Sequence, residues 1–533
     1  MNATNPYPRP KLRSKKQRTG QRRIRLTARI LAVAGLWATL VLSGCALPHD
    51  TSGGRAWERA RLESQDTGGK VARCTQNFAT IDDAIVRAGT GDAQAAPIAG
   101  FPHLRTTRFL AAMGTRIDPD DGPGFAYWID WLAQVAIEAR TYELANLPRP
   151  ARAALDRHLG QNAAAVIADC TVTLKNVDRQ HGDARNILAA TVNVPDDYID
   201  IQRVMGLYPL TAIPVLISFE LWKQRNLPSF SRDPSNAGTP GGTTYYAPPV
   251  EANVADPEMV AGLLRRAATN PLKLPRPNAD ELRRLATAFA PVFAVEVRGE
   301  FDRIGMPGWA ADDTAVLDTY SPFVYVQPSW SIFDGVPLLQ ISYLAWFSER
   351  PASGPMDILS GRLDGLIWRV TIGPDGRALL YDSIHPCGCY HLFFPVPPTK
   401  LKDMPFGEFG EGTVVPTDAP MPGPKQRMVL HIGSGNHYLS ALSVADAGGL
   451  PSTPYQSGPM DVLRSLPRPG GGRASLYAGD GIVAGTDRSE RFLLWPMGIA
   501  SPGAMRQWGT HATAFVGRRH FDDPFLMDRA FFR

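Results

Sequence analysis

The stretch LIWRVTIGPDGRALLYDSI, residues 366–384, predicts a β-hairpin. Its two arms, 366–372 and 378–384, are rich in β-branched, aromatic and other apolar residues, a composition that favours strands. Between the arms lies Gly373-Pro374-Asp375-Gly376, whose glycines and proline are typical of a tight turn. We therefore expect the two arms to pair antiparallel.

Further strand candidates follow residue 291 on both sides of this hairpin. In these segments apolar and polar residues alternate with a period of two, or β-branched and aromatic residues form short runs. The segments are 323–327, 338–347, 427–432, 437–444, 492–495 and 512–516. Short helices are expected before them, at 257–267 and 279–288. The C-terminal region, 257–533, is therefore predicted to be mainly antiparallel sheet with short leading helices.

The preceding region, residues 73–226, has a helical pattern. Its clearest helix covers 125–147, where apolar residues recur at three- and four-residue steps until Pro148 ends the pattern. Thr80 is expected to begin another helix as its N-cap. Residues 208–222 are strongly apolar but are interrupted by prolines, which predicts a buried core helix rather than a membrane element.

These two regions together predict an α+β fold, a helical N-terminal region followed by a mainly antiparallel, β-rich C-terminal region. The segment between them, 227–256, is rich in Pro, Gly, Ser and Thr. Such a composition is typical of a domain linker or of a long surface loop, and both interpretations stay open.

The front of the chain has the pattern of an export signal. The first 29 residues contain ten basic side chains and no acidic one, and a 13-residue apolar run follows at 30–42. A basic region, a short apolar run and small residues before a cleavage point form a secretory signal. The run is shorter than the roughly 20 residues that a membrane-spanning helix needs.

The tetrapeptide Leu42-Ser43-Gly44-Cys45 resembles the lipobox of bacterial lipoproteins. This resemblance implies a signal peptide over 1–44, cleavage before Cys45, and acylation of Cys45 by chains such as palmitate, which anchor the protein to a membrane. Ala46 occupies the position where an aspartate favours inner-membrane retention, so the resemblance implies the outer membrane, facing the periplasm. A plain signal peptide with a chance cysteine is the alternative.

The mature part resembles uncharacterised proteobacterial lipoproteins of no known activity, so no catalytic residue follows from the resemblance. Residues 45–72 are polar and glycine-bearing, which predicts a flexible tether. The whole chain of 533 residues has 56 basic and 51 acidic side chains. Without the ten basic residues of the signal, the net charge becomes −5. A nucleic-acid partner, which needs a basic surface, is therefore not expected.

Four cysteines remain besides Cys45, and two of them lie in the helical region. Because export exposes thiols to oxidation, Cys74 and Cys170 are expected to form a disulfide, with two buried free thiols as the alternative.

The other two cysteines lie in HPCGCYH, residues 385–391. His385, Cys387, Cys389 and His391 are thiolate and imidazole ligands of the kind that zinc or copper prefers. On a straight strand these four would spread over about 20 Å, so Pro386 and Gly388 would have to bend the chain around an ion. A Cys387–Cys389 disulfide and a buried cysteine pair with hydrogen-bonded histidines are the other two interpretations.

Several residues could complete such a metal site. His431 and His437 flank a predicted hairpin loop and would share one face of the sheet only with a three-residue loop, so they are secondary candidates. Glu349 and His511 are further candidates for a fourth ligand. Solvated or hydrogen-bonded loop histidines are the favoured interpretation of His431 and His437.

No nucleophile elbow, P-loop or zinc-protease motif occurs in the sequence. The expected function is therefore a binding or structural role at the cell envelope, with a small metal or thiol site. The alternative is a metal-dependent hydrolase or a thiol oxidoreductase that uses residues 385–391.

Overall fold

The predicted hairpin lies at the centre of a six-stranded sheet. In the structure, a computed structural model, Gly361–Ile372 and Ala378–Ile384 pair antiparallel, with Tyr381 opposite Val370. Gly376 in the turn has a φ of 81°, and a Cβ there would collide with the backbone of the neighbouring helix at Pro257, so the turn requires glycine. The hairpin prediction is confirmed.

The structure describes residues 52–63, 69–118, 120, 122–232, 242–249, 252, 254–402 and 410–533. The predicted signal peptide and Cys45 lie outside this part of the chain. Its α-helices are α1 Ser52–Glu63, α2 Lys70–Ala88, α3 Arg108–Gly114, α4 Gly122–Asn146, α5 Arg149–Leu159, α6 Ala163–Gln180, α7 Gly182–Thr191, α8 Asp200–Met205, α9 Tyr208–Asn226, α10 Pro257–Ala267, α11 Ala279–Ala288, α12 Arg491–Leu494 and α13 Leu526–Ala530.

Short 3₁₀ helices cover Leu227–Ser231, Glu300–Asp302, Met460–Arg464 and Trp495–Met497. The strands are β1 Ala96–Ile98, β2 Phe101–Thr106, β3 Thr243–Ala247, β4 Val292–Glu296, β5 Met306–Trp309, β6 Ala315–Asp318, β7 Phe323–Phe333, β8 Val336–Arg350, β9 Gly361–Ile372, β10 Ala378–Ile384, β11 Leu392–Pro395, β12 Lys400–Leu401, β13 Gln426–Ile432, β14 Leu439–Asp446, β15 Ser452–Pro454, β16 Gln456–Pro459, β17 Leu466–Pro467, β18 Arg473–Ala474 and β19 Phe531–Phe532.

Two sheets dominate the C-terminal region. The larger has the strand order β11-β10-β9-β8-β7-β16, and the smaller has the order β14-β13-β4-β3-β15. Most strand pairs are antiparallel, while β13 with β4, β15 with β3 and β16 with β7 are parallel. Side chains of both sheets and of α10 and α11 share one hydrophobic cluster, which includes Phe293, Leu339, Trp368 and Leu430. The α+β prediction is therefore confirmed.

The N-terminal helices have cores of their own. One hydrophobic cluster surrounds Trp128 of α4. The bounds of α4 lie close to those of the predicted helix 125–147. A second cluster contains the Cys74–Cys170 disulfide, which joins α2 to α6 with the two Cα atoms 5.1 Å apart. The predicted disulfide is confirmed.

Two expectations for this region are wrong, and one strand pair was not predicted. Residues 52–63 of the predicted tether form α1, because Trp57 and Arg61 bury their side chains and both bind Asp178. Thr80 lies inside α2 and does not begin a helix. The helical region also contains the antiparallel pair β1 and β2.

The C-terminal region differs from expectation at two places. Residues 492–495 are helical, in α12 and the following 3₁₀ turn, and 512–516 form no strand beyond a single bridge between Ala512 and His520. Of their apolar side chains, Leu494, Phe515 and Val516 pack in a cluster with Ala212 and Met497. The segment 227–256 contributes β3 to the smaller sheet. Residues 50–533 together form one compact unit.

Helix α9 departs most from its prediction. The helix forms despite Pro214 in its interior, but Ala212 is its one buried residue. Its apolar Leu210, Ile213 and Ile217 are more than half exposed. The expected buried core helix is therefore an exposed one, because apolar composition alone does not say on which side a helix is covered. In the described part of the chain, no helix combines the length and apolarity needed to cross a membrane.

Candidate functional site

Residues 385–391 form a compact turn between β10 and β11. The His385 N–H donates to the Cys389 carbonyl oxygen at 3.0 Å, and the Gly388 N–H donates to the His385 carbonyl oxygen at 2.8 Å. Gly388 has a φ of 90°, and a Cβ there would collide with the Ala512 carbonyl oxygen. The geometry of a straight strand therefore does not apply to the four candidate ligands.

The two histidines His385 and His437 both bind Asp364. The distance from Nδ1 to the carboxylate is 3.1 Å for His385 and 2.9 Å for His437. On its other side, His437 Nε2 lies 3.3 Å from Asp302, and the His437 ring stacks on Phe347. Asp302, Asp364, His385 and His437 are all buried and are called the Asp–His cluster below.

Burial and ion pairing together determine the charges in the Asp–His cluster. Burial alone would raise the pKa of Asp364, but His385, His437 and Arg488 hold that pKa well below its usual range. Burial would lower the pKa of His437, but hydrogen bonds to Asp302 and Asp364 raise it above the ordinary value. In His385 burial prevails and lowers the pKa. The cluster therefore holds His437 between two carboxylates that favour its protonated form, in a network buried from solvent.

His391 belongs to a different polar group. Its Nε2 lies 2.8 Å from Asp382, whose carboxylate also accepts two hydrogen bonds from Arg369. Its Nδ1 lies 3.3 Å from the Thr513 hydroxyl. Burial lowers the pKa of His391 to about 4 against the opposing effect of Asp382. His391 is therefore neutral near pH 7 and is held by a buried ion pair.

Cys387 and Cys389 are buried free thiols. The Cys389 N–H points to Cys387 Sγ at 3.4 Å. A hydrogen bond between the two thiols, together with burial, raises the pKa of Cys389 well above its usual value. Because the thiolate is the nucleophile and the metal ligand, a thiol with a raised pKa is less suited to either role.

The predicted zinc or copper ligands do not converge on one point. Within the described residues, only Cys74, Asp169 and Cys170 place three candidate ligand atoms within 4.8 Å of one another, and those two cysteines form the disulfide. His385 and His391 are held by different carboxylates. The arrangement therefore does not fit zinc or copper.

The secondary candidates are also separate. His431 Nε2 lies 2.8 Å from the Ser443 hydroxyl, which agrees with a hydrogen-bonded histidine. His437 is buried and hydrogen-bonded to Asp364, so of the two favoured alternatives the hydrogen-bonded one is confirmed and the solvated one is not. Glu349 is exposed at the end of β8. Burial lowers the pKa of His511 to about 3.

A cavity of about 530 Å³ lies beside the turn at residues 385–391, which is called the cysteine turn below. Its walls come from α9, from the turn itself, from the segment around α12 and from residues 512–515. Trp222 of α9 packs on Tyr390 there, with ring centroids 5.1 Å apart. Ile358 and Leu493 line the cavity and are also exposed, so it opens at the surface. Volumes of about 300–1,000 Å³ are typical of small-molecule sites.

Two glutamates and an arginine are among the polar side chains of the mainly apolar wall. Glu411 accepts hydrogen bonds from the Phe515 and Val516 N–H groups, and Arg519 donates to the Thr513 hydroxyl at 3.1 Å. Within the part of the chain that the structure describes, no hydrogen bond to the Glu490 carboxyl is found. Burial raises the pKa of Glu490 to about 7, although Arg488 and Arg350 oppose the shift. Glu490 is therefore a buried carboxyl available to a ligand.

Substitution of Glu490 by Gln is expected to stabilise the protein at pH 8. The folded-state pKa of about 7 lies above the ordinary 4.5, so the folded protein keeps a proton that the unfolded chain loses. The contribution of Glu490 to the free energy of unfolding is therefore lost as pH rises from about 4.5 to 7. One pKa unit corresponds to 1.36 kcal/mol, so the loss is about 3 kcal/mol. Denaturant unfolding between pH 5 and 8 measures it. The exposed control Glu349→Gln should keep the wild-type pH profile, and an unchanged profile in Glu490→Gln would contradict the assignment.

The most informative residues of the site were not predicted from the sequence. Asp364 and Glu490 carry no motif, although an aspartate inside the apolar stretch 363–370 is a signal of a buried ion pair. Glu490 is recognised as a candidate ligand-binding residue only in the structure, where it lines the cavity. No protein-family model, curated protein or solved structure matches this chain.

Proposed function

We propose that this protein is a lipid-anchored envelope lipoprotein whose folded part binds a monoacyl amphiphile in the cavity. The observation that carries the proposal is the pairing of an apolar cavity of about 530 Å³ with a buried carboxyl that has no hydrogen-bond partner in the described residues. Apolar walls favour an alkyl chain, and a few placed polar groups orient a ligand.

Glu490 suggests the class of head group. A hydroxyl or amine can donate to its carboxyl, whereas an ionised carboxylate or phosphate would face a like charge at a pH above the Glu490 pKa of about 7. The charges of Glu411 and Arg519 are already satisfied by the protein. We therefore favour an amine- or hydroxyl-headed ligand.

The proposed localisation of the protein rests on the resemblance of residues 42–45 to a lipobox. Acylation of Cys45 would hold the folded part at the periplasmic face of the outer membrane, close to a source of amphiphiles. Zinc or copper chemistry is not proposed, because the candidate ligands do not converge. A thiol oxidoreductase is not proposed, because the raised pKa of Cys389 disfavours its thiolate.

A fluorescence titration tests the binding site. Residues 50–533 form one compact unit with several hydrophobic clusters, so they can be prepared without the leader. The probe is an alkyl amine with a dansyl group at the far end of its chain, compared with the matching alkyl carboxylate. We expect Ser218→Trp, which places a large ring in the cavity wall, to weaken amine binding at least about tenfold, a loss of about 1.4 kcal/mol.

Matched variants identify the site. Ile217→Trp adds the same ring on α9 at a residue outside the cavity wall and should leave the affinity unchanged. Glu490→Gln should reduce the preference for amine over carboxylate at pH 8 about tenfold, because it removes a hydrogen bond to a charged group. Equal effects of Ser218→Trp and Ile217→Trp would contradict binding in the cavity.

A further inference from the structure

One side of α9 carries an apolar surface that the described protein does not cover. The first twelve residues of the helix, 208–219, contain no charged side chain. A helix that is apolar all round is normally buried on all sides. Here the inner side of α9 packs against Met497 and Val516, while Ile213 and Ile217 on the other side are 54% and 57% exposed.

The exposed surface continues onto neighbouring elements. A Cβ at Gly206, just before α9, would collide with Pro496, so the 3₁₀ turn after α12 packs directly against this part of the chain. Phe492 and Leu493 of α12 are 69% and 65% exposed. Large contiguous apolar patches on a soluble fold mark an interaction surface. We call Met205, Leu210, Ile213, Ile217, Phe492 and Leu493 the apolar face.

The mouth of the cavity opens beside this apolar face. Leu493 belongs to the face and also lines the cavity, and Pro214 and Ser218 line the cavity one residue from Ile213 and Ile217. Whatever covers the apolar face is therefore adjacent to the opening through which a ligand enters.

We propose that the apolar face lies in the surface of the lipid bilayer, so that amphiphiles enter the cavity directly from the membrane. The proposal rests on the proposed lipid anchor and cavity function, and it names the membrane as their common partner. The face would lie in the interfacial region in the manner of a monotopic membrane helix, with its apolar side chains among the lipid chains.

The proposed acylation of Cys45 makes a membrane the expected partner. Six residues separate Cys45 from Ser52, so the seven Cα–Cα steps between them reach at most about 25 Å. The start of α1 packs beside the end of α7, because a Cβ at Gly54 would lie 3.2 Å from a Thr191 methyl group. Nine residues, about 30 Å at most, lead from Thr191 to the start of α8 at Asp200. Acyl chains on Cys45 would keep the start of α1, and with it the end of α7, near the leaflet that contains them, and α8 and α9 follow α7 along the chain.

The side chains that border the apolar face also fit a lipid surface. Trp495 flanks it with a ring that is 39% exposed and has an apolar body and one polar N–H, the type of residue that favours the head-group level. Arg225, exposed after the apolar part of α9, adds a basic group of the kind that binds anionic head groups, whereas Lys223 pairs with Glu220 at 2.6 Å.

Photo-crosslinking in the full lipidated protein tests the proposal. A benzoylphenylalanine is placed at Ile217, at Phe492 or at the control Val172, which is 53% exposed on α6, far from the face in sequence. The protein is reconstituted into phosphatidylethanolamine–phosphatidylglycerol vesicles with a trace of radiolabelled phospholipid. We expect at least about tenfold more labelled lipid on the two face positions than on Val172, because only the face enters the interface.

Each outcome separates the proposals. Ile213→Asp with Ile217→Asp should abolish lipid crosslinking at Phe492, while Val172→Asp should not. Equal labelling at the three positions, or crosslinks to a second copy at Ile217, would overturn membrane docking. The titration with residues 50–533 is free of vesicles, so loss of binding there would contradict the cavity function alone. Absence of acyl chains on Cys45 by mass spectrometry would contradict the anchor and, with it, this docking proposal.

Discussion

Removal of the Cys74–Cys170 disulfide is expected to lower the free energy of unfolding by about 4–5 kcal/mol. The bond closes a loop with a sequence separation of 96, and a crosslink of this span removes much of the conformational entropy of the unfolded chain. Cys74→Ala with Cys170→Ala is the variant, and denaturant unfolding followed by the helical circular dichroism signal is the measurement. Both cysteines are buried in one hydrophobic cluster, so the loss should appear in the N-terminal helices.

Reduction provides the matched control for this variant. A reductant should lower the stability of the wild type to that of the double variant and leave the double variant unchanged. Cys387 and Cys389 remain free thiols in both proteins and should not contribute. A double variant as stable as the oxidised wild type would contradict the stabilising role of the bond.

The second large effect is expected at Asp364. Asp364→Ala leaves Arg488 and the His437 ring buried without their shared carboxylate, and the removal of one member of a buried ion pair costs about 3–5 kcal/mol. The variant should unfold at correspondingly lower denaturant concentration. It should also lower the pKa of His437, because Asp364 is one of the two carboxylates that raise it.

Asp130→Ala is the matched control for this change. Asp130 pairs with Lys175 at 2.6 Å, but its side chain is half exposed, so its removal should cost no more than about 1 kcal/mol. Nuclear magnetic resonance of the His437 ring gives its pKa in each variant. Equal losses of stability in the two variants, or an unchanged His437 pKa in Asp364→Ala, would contradict the Asp–His cluster as described.

Local sequence patterns predicted the elements whose partners are near in the chain. Ala378–Ile384, Pro257–Ala267 and Ala279–Ala288 have the predicted bounds, because turn residues and caps mark their ends. The strand predicted at 492–495 failed, because four apolar residues have the same periodicity in a short helix as in a strand.

The exposure of α9 and the grouping of the site residues depend on contacts between distant parts of the chain. His385 and His391 are six residues apart, yet they bind different carboxylates, His385 that of Asp364 and His391 that of Asp382. His437 joins Asp364 across 73 residues, a contact that no local pattern indicates. Charged residues within the predicted strands, such as Arg369 and Asp382, did carry a usable signal, because buried charges need partners.

The most direct test of the cavity function is a crystal structure of residues 50–533 with an alkyl amine that carries bromine at its chain end. The proposed function predicts an anomalous bromine peak inside the cavity, between Trp222 and the cysteine turn, with the amine within hydrogen-bond distance of the Glu490 carboxyl. A bromine peak confined to the outer surface of α9, or a cavity without ligand density at saturating amine, would contradict it.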